Sequence, residues 1–127
     1  MKEITAFIRR HQVPATKKAL EEAGFAALTI QSVEGRGKQK GIGGWAAEVD
    51  PELNTLEATM QAMEPEIKWI PKRMISLIVQ DDQVASAVDA IIVANKTGHI
   101  GDGKIFVSTI EEALRVRTEE KGAAAVS

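Results

Sequence analysis

The order of predicted elements constrains the fold of this chain most, because one strand–helix–strand pattern occurs twice. Residues 2–9 alternate apolar and polar side chains as a half-buried strand does. Residues 13–24 follow with helical spacing, with Pro14 suited to the first turn and Gly24 to the C-terminal cap. A second strand is predicted over residues 25–33, which completes the first unit.

The second unit repeats this order after a long gap. Residues 73–79 form a nearly continuous apolar run, which is typical of a strand covered on both faces. Asp81 and Asp82 can cap a helix, and residues 104–108 form a fourth strand. The apolar positions of that helix are Val84, Val88, Ile91 and Ile92. Two such units predict an α+β fold, a ferredoxin-like βαββαβ sandwich in which both helices cover one face of a four-stranded antiparallel sheet.

The other face of such a sheet has no helix to cover it. We expect Phe7, Leu77 and Val79 to contribute apolar area to this open face. An exposed apolar area on one face of a sheet is most simply buried between copies of a protein. The sequence therefore predicts an oligomer.

Composition excludes several classes of function. The chain has no cysteine, which excludes disulfides and thiolate sites and makes the cytoplasm the expected location. Its two histidines, His11 and His99, lie too far apart in sequence to suggest a zinc site. No apolar stretch has the length of a membrane span. The formal net charge of −2 argues against general nucleic-acid binding.

Between the second and third strands lies an insert of about 35 residues, which is longer than most connections in a compact domain and for that reason a candidate for function. Residues 42–69 hold six acids against one base, whereas the rest of the chain carries a formal charge of +3. The insert is therefore an acidic segment on a mildly basic body.

Two glycine-rich, lysine-bearing loops suggest a phosphate site. The first is GRGKQKG, at residues 35–41, and the second is TGHIGDGK, at residues 97–104. Gly98 and Gly103-Lys104 have P-loop spacing, but a strand follows where a P-loop needs a helix. Either loop alone can equally be a solvated basic turn or a tight helix-to-strand turn. Together they would line a cleft suited to a polyphosphate, because glycines let backbone N–H groups approach an anion.

Four motifs, in order along the chain, resemble the signature blocks of the nitrogen regulatory PII signal-transduction family: GRGKQKG, IPKRM at 70–74, TGHIGDGKIFV at 97–107 and RVRT at 115–118. The resemblance implies a single domain over residues 1–127, in which residues 36–69 form the T-loop, 96–104 the second glycine loop and 114–127 a C-terminal tail. It also implies a trimer that binds ATP or ADP in the clefts between subunits. With Mg-ATP, 2-oxoglutarate would bind at the base of the T-loop.

The resemblance assigns roles to individual residues. Those implied to bind nucleotide are Thr29, Gly37, Lys38, Gln39, Gly101, Gly103, Lys104, Arg115 and Arg117. Those implied to bind 2-oxoglutarate are Gln39, Lys40, Gly41 and Lys72. Gln39 would also ligate Mg²⁺, together with oxygens of ATP and 2-oxoglutarate. The sequence offers no pair of nucleophile and base, so we expect a sensor and not an enzyme.

Departures from the usual PII pattern indicate which branch of the family this chain resembles. The chain has no tyrosine, which excludes tyrosine uridylylation, and its T-loop is longer than usual. Glu119 stands where glycine is frequent, His99 where lysine is frequent, and Arg9-Arg10 replace a common Lys-Pro. The enlarged loop resembles the longer-looped member of the paired PII proteins encoded among nitrogenase genes in methanogens and some anaerobic bacteria.

That resemblance implies inhibition of dinitrogenase when 2-oxoglutarate is low, in a trimer that can assemble with an unlike PII protein. The alternative is a PII regulator of an ammonium transporter or of glutamine synthetase. A third hypothesis, an ATP-using enzyme, lacks the residues for chemistry.

The T-loop itself has features of a partner-binding segment. Asp50 and Pro51 can begin a helix. Its apolar stripe comprises Leu53, Leu56, Met60 and Met63, and Trp45 and Trp69 flank it. Tryptophan and methionine suit a protein interface. The alternative is that this helix folds back onto its own trimer or onto a neighbouring trimer.

Overall fold

The structure is a computed structural model, and it describes residues 1–37 and 69–127. Its first half contains β1 (Lys2–Arg9), a 3-10 turn (Arg10–Gln12), α1 (Val13–Glu22) and β2 (Thr29–Gly35). Its second half contains β3 (Ile70–Val79), a 3-10 turn (Asp81–Gln83), α2 (Val84–Asn95), β4 (Lys104–Thr109) and a helical turn, α3 (Ala123–Val126). None of the helices in the described ranges is long and apolar enough to cross a membrane.

The four strands form one sheet in the order β2-β3-β1-β4, and each strand is antiparallel to its neighbours. This arrangement confirms the predicted α+β, ferredoxin-like fold. In the register of the two central strands, Ile4 pairs with Leu77 and Phe7 with Met74. The sheet therefore places the end of β1 beside the beginning of β3 and of β4.

One face of the sheet packs against α1 and α2. Its core residues are Ile4, Ala6, Ile8, Leu20, Ile75, Leu77, Val79, Ala87 and Ile91. The prediction that Leu77 and Val79 lie on the open face is wrong, since they are only 3% and 2% exposed in this core. The error has a physical reason: a continuous apolar run does not reveal which alternate residues face the helices.

The open face carries Phe7, as predicted, with Phe106 beside it. The two rings meet edge to face, with centroids 6.1 Å apart. Phe106 is 55% exposed. The face is also partly polar, because Ser76 donates a hydrogen bond to Glu3 across the central strands (3.0 Å).

The boundaries of two strands differ from the prediction. β3 begins at Ile70, three residues before the predicted start, and β2 begins later than predicted. Gly24 ends α1 with φ of +96°, and the Phe25 amide donates to the Leu20 carbonyl (2.8 Å). Phe25 and Leu28 pack against the core before the ladder begins at Thr29. The predicted start of β2 was therefore too early in the sequence, because apolar residues that pack against the core resemble those of a strand.

The predicted cap of α2 is also wrong. The Asp81 carboxylate pairs with the amino group of Met1 (3.0 Å). The amide of Gln80 donates instead to the side-chain oxygen of Gln83 (2.9 Å), and a 3-10 turn precedes the helix. Sequence position alone could not show that the chain's amino group lies beside Asp81.

The tail, residues 114–127, adds no strand to the sheet. It makes a single bridge between Leu114 and Lys121, and the helical turn α3 lies near its end. Glu119 has φ of +61°. This left-handed conformation favours glycine. It gives a physical reason for the glycine that is frequent at this position in the family.

Candidate functional site

A cavity of about 770 Å³ lies where β1 and β2 end and β3 and β4 begin. This size is within the range of small-molecule sites. The residues that line it are Phe7, Val33, Glu34, Gly35, Arg36, Gly37, Ile70, Lys72, Ile100, Gly101, Gly103 and Lys104. The beginning of the T-loop, the residue that follows its end (Ile70) and the second glycine loop therefore contribute to one cavity.

The cavity is suited to an anion. Among the described residues that line it, three are cationic, Arg36, Lys72 and Lys104, and Glu34 is the one acidic residue. Four glycines also line it, and glycine lets a ligand approach the backbone closely. The combination matches the phosphate chemistry that the sequence predicted from the two glycine loops.

The positive charge around the cavity also affects a neighbouring histidine. Burial lowers the pKa of His11 below its usual 6.5, and the charges of Arg9, Lys72 and Arg10 lower it further. Of these three cations Lys72 lines the cavity, and its charge would favour a bound anion there.

Lys72 connects β3 to the second glycine loop. Its ammonium group donates to the carbonyl oxygen of Gly101 (3.0 Å). The side chain is thus already directed towards the loop that the sequence implied would hold phosphate.

Gly103 is required by packing against β1. Its φ is +109°, and a Cβ at this position would overlap the carbonyl oxygen of Phe7 and lie 3.0 Å from the carbonyl carbon. Access of an anion to the backbone is one reason for glycine in this loop. At Gly103 the structure supplies a second reason, which is the close passage of β1.

Asp102 organises the second glycine loop. Its carboxylate accepts hydrogen bonds from the amides of Thr97 (2.8 Å) and Gly98 (2.9 Å), from the Thr97 hydroxyl and from Arg9 (2.6 Å). Burial alone would raise the pKa of Asp102, but these hydrogen bonds outweigh it and lower the pKa to about 2. The carboxylate is therefore ionised at any ordinary pH.

The structure brings together five of the nucleotide and 2-oxoglutarate residues that the sequence implied: Gly37, Lys72, Gly101, Gly103 and Lys104. Nine residues assigned to the ligands or to a partner lie outside the described ranges: Lys38, Gln39, Lys40, Gly41, Trp45, Leu53, Leu56, Met60 and Met63.

Three further site residues are described but do not line the cavity: Thr29, Arg115 and Arg117. Thr29 lies at the far end of β2 from the cavity glycine Gly35, roughly 20 Å away at the usual rise of a strand. Arg115 is bonded within the tail, to Glu120 (3.0 Å) and to the carbonyls of Ala124 and Ser127. Arg117 lies in the turn of the tail.

Trp69, assigned to a partner surface, is 61% exposed and directly precedes Ile70 of the cavity lining. The guanidinium carbon of Arg36 lies 5.3 Å from the centre of a Trp69 ring. This cation–π contact joins the two ends of the T-loop.

The sequence did not single out Arg9 or Asp102 as residues of this region, whereas Arg36 was expected to supply charge at the first glycine loop and does line the cavity. Arg9 was noted as a departure from the family, which was the available signal. Asp102 stands in a glycine-rich loop, where aspartate commonly accepts hydrogen bonds from backbone amides, and that rule could have singled it out.

Comparison with known proteins shows to which family the chain belongs. The sequence profile of the family described as nitrogen regulatory protein P-II matches residues 1–120. The chain belongs to the PII family. The match confirms the resemblance that the motifs indicated. Proteins of this family are regulatory signal transducers.

Individual relatives agree with this assignment. This PII protein is 46% identical to nitrogen fixation nifHD region GlnB-like protein 2 of Methanobacterium ivanovii, over 99% of each chain. It is 42% identical to the nifHD1 region GlnB-like protein 2 of Methanosarcina barkeri, over 96% of each chain. It is 40% identical to the nitrogen regulatory protein P-II of Bradyrhizobium diazoefficiens, over 99% of this chain and all of the relative.

Proposed function

We propose that this PII protein senses nitrogen status by binding ATP or ADP and, together with Mg-ATP, 2-oxoglutarate. Ligand binding would change the conformation of the T-loop and so control a protein target. The observation that carries the proposal is the cavity of three cations and four glycines at the base of the T-loop. A ligand there would contact the root of the T-loop directly, and ordering a loop root around a ligand is a common form of switch.

The residues around the cavity suit different parts of these ligands. Lys104, with Gly37, Gly101 and Gly103, would hold the phosphates. Lys72 would pair with the distal carboxylate of 2-oxoglutarate, a role that suits a compact ammonium charge. Mg²⁺ would neutralise phosphate charge and link ATP to 2-oxoglutarate, with Gln39 as the expected protein ligand. Lys38, Lys40 and Gly41 would complete the site.

We further propose that the protein is a trimer in which a neighbouring subunit completes each site. Thr29, Arg115 and Arg117 do not line the cavity of their own chain, and a neighbouring chain could supply all three. The exposed Phe106 on the open face is consistent with burial between subunits. The trimer can also assemble with an unlike PII protein.

The proposed target is dinitrogenase, inhibited when 2-oxoglutarate is low and released when it rises with ATP. Support comes from relatives named after the nitrogen fixation nifHD region, at 46% identity. Regulation of an ammonium transporter or of glutamine synthetase is the alternative. A relative named only as a nitrogen regulatory protein P-II, at 40% identity, keeps that alternative open.

Calorimetric titration tests the sensor. We expect 2-oxoglutarate to bind the purified protein only with Mg-ATP, and to lose its binding in Lys72→Ala. The matched control is Lys18→Ala, which removes an exposed lysine of α1 outside the cavity. Absence of nucleotide and 2-oxoglutarate binding in the wild-type protein would contradict the sensor function.

A pull-down with dinitrogenase tests the target. We expect retention without 2-oxoglutarate and release when 2-oxoglutarate and Mg-ATP are added together. Retention of glutamine synthetase in place of dinitrogenase would support the alternative target.

A further inference from the structure

Arg9 is an unusual residue to find at the end of β1, because its side chain is buried. It is only 2% exposed, and its guanidinium lies against the second glycine loop. One nitrogen donates to the Asp102 carboxylate (2.6 Å) and the other to the Ile100 carbonyl (3.0 Å). Nε has no hydrogen-bond partner among the described residues.

Stability alone does not explain such a pair. Removing a guanidinium from water is costly, and an apolar pair of similar volume often stabilises a protein as well as a buried ion pair does. An apolar pair cannot fix the orientation of polar groups in the loop. The planar fork of Arg9 fixes the orientation of two separate groups of the loop at once.

The Asp102 carboxylate extends this control over the rest of the loop. One oxygen accepts from Arg9 and from the Thr97 hydroxyl, while the other accepts from the amides of Thr97 and Gly98. Both oxygens are therefore used within residues 97–102 and β1. The loop is closed into a ring by its own aspartate, and Arg9 attaches that ring to the sheet.

The same contacts fix the direction of backbone amides. The Ile100 carbonyl is held by Arg9 and the Gly101 carbonyl by Lys72. The described chain has no cis peptide bond, and in a trans peptide the carbonyl and the following N–H point in opposite directions. The N–H groups of Gly101 and Asp102 are therefore turned away from the two cations that hold the carbonyls.

We propose that Arg9 and Asp102 are positioning residues that hold the second glycine loop in its anion-binding shape. Neither residue lines the cavity, so their effect on a ligand passes through the loop that they hold. A loop that is already shaped for its ligand binds more tightly, because no ordering is required when the ligand arrives. The proposal rests on the proposed function, since it concerns the same nucleotide site.

The test compares ADP affinity, measured by calorimetry, in Arg9→Lys, Asp102→Asn and the double variant. Lysine keeps the charge of Arg9 but lacks the planar fork whose two separate nitrogens contact Asp102 and Ile100. We expect each single change to weaken ADP binding about tenfold, the size of effect usual for a charged hydrogen bond. Because the two residues act as one unit, the double variant should also lose about tenfold, and not about a hundredfold.

Two further variants separate positioning from general damage. Arg10→Lys makes the same substitution at the exposed neighbouring residue and should leave ADP affinity unchanged. Thr97→Val removes, at an exposed position, a hydroxyl that donates to Asp102 and accepts from the His99 amide (3.2 Å). It should weaken ADP binding about threefold, in keeping with loss of these two exposed hydrogen bonds.

The outcomes are distinguishable. A wild-type protein that binds no ADP contradicts the proposed function itself, and the positioning role falls with it. If the wild type binds ADP but the folded Arg9, Asp102 and Thr97 variants bind it equally well, only the positioning role is refuted. It is also refuted if the two single losses multiply in the double variant. Circular dichroism at the titration temperature establishes that each variant is folded, and Thr97→Val decides the matter if the buried variants are not.

Discussion

Replacement of Gly103 by alanine should destabilise this protein more than replacement of any other glycine tested with it. Two costs add at this position. Its φ of +109° is one that non-glycine residues avoid, at a cost of about 1–2 kcal/mol. The new Cβ would also overlap the Phe7 carbonyl and lie 3.4 Å from the Ile8 Cα. Both neighbours are backbone, so no side chain can move aside.

Relief of that overlap requires β4 to shift away from β1, next to the pair of Phe7 and Lys104. Overpacking of this kind usually costs about 1–3 kcal/mol. The free energy of unfolding of Gly103→Ala should therefore fall by about 2–5 kcal/mol in total. This is a large part of the usual stability of a domain, about 5–15 kcal/mol.

Two matched glycines separate the costs. Gly98 has φ of +88° but open space where the Cβ would lie, so Gly98→Ala should lose only the backbone cost of about 1–2 kcal/mol. Gly37 has open space and no positive φ, and Gly37→Ala should change stability by less than about 0.5 kcal/mol. The three substitutions should thus form a graded series.

Urea unfolding followed by far-UV circular dichroism measures all three variants. The protein concentration must be the same throughout, because assembly of subunits makes apparent stability depend on concentration. If Gly103→Ala loses no more stability than Gly98→Ala, the close approach of β1 does not constrain this residue, and the packing argument is refuted.

Three further predictions concern the tail, the T-loop base and Asp102. Glu119→Gly should raise the free energy of unfolding by about 1 kcal/mol, because Glu119 has φ of +61°; an unchanged or lower value would contradict this. Arg36→Ala should remove the contact with Trp69, which is worth about 0.5–1 kcal/mol, and should alter Trp69 fluorescence in a variant that lacks the other tryptophan. Arg36→Lys, which keeps the charge, should preserve part of the contact, and equal spectra in all three proteins would argue against it. The pKa of Asp102 falls from 3.8 to about 2 on folding, so its stabilising contribution is present above pH 3.8 and is lost as the pH falls towards 2. Acid titration of unfolding should show a shallower loss over that interval in Asp102→Asn, and the same slope in both proteins would refute the assignment.

The sequence by itself determined the order of elements and hence the fold class. Alternation over residues 2–9 located β1 at its observed bounds, and Gly24 marked the end of the first helix. These features are local: strand and helix periods and the conformational freedom of glycine act within a few residues. The motifs, the two glycine loops among them, identified the PII family. The phosphate site that the glycine loops predicted stays a prediction. The proposed T-loop helix and its apolar stripe lie outside the described residues and stay a prediction.

Only the tertiary structure decided which side chains meet. Leu77 and Val79 face the helices because the register with β1 places them there, and the run of apolar residues contained no sign of it. Arg9 and Asp102 form an ion pair although 93 positions separate them in sequence. Such contacts depend on strand pairing and on the crossing of distant segments. Local patterns fix which elements form, but the geometry of the whole sheet fixes which residues its ends bring together.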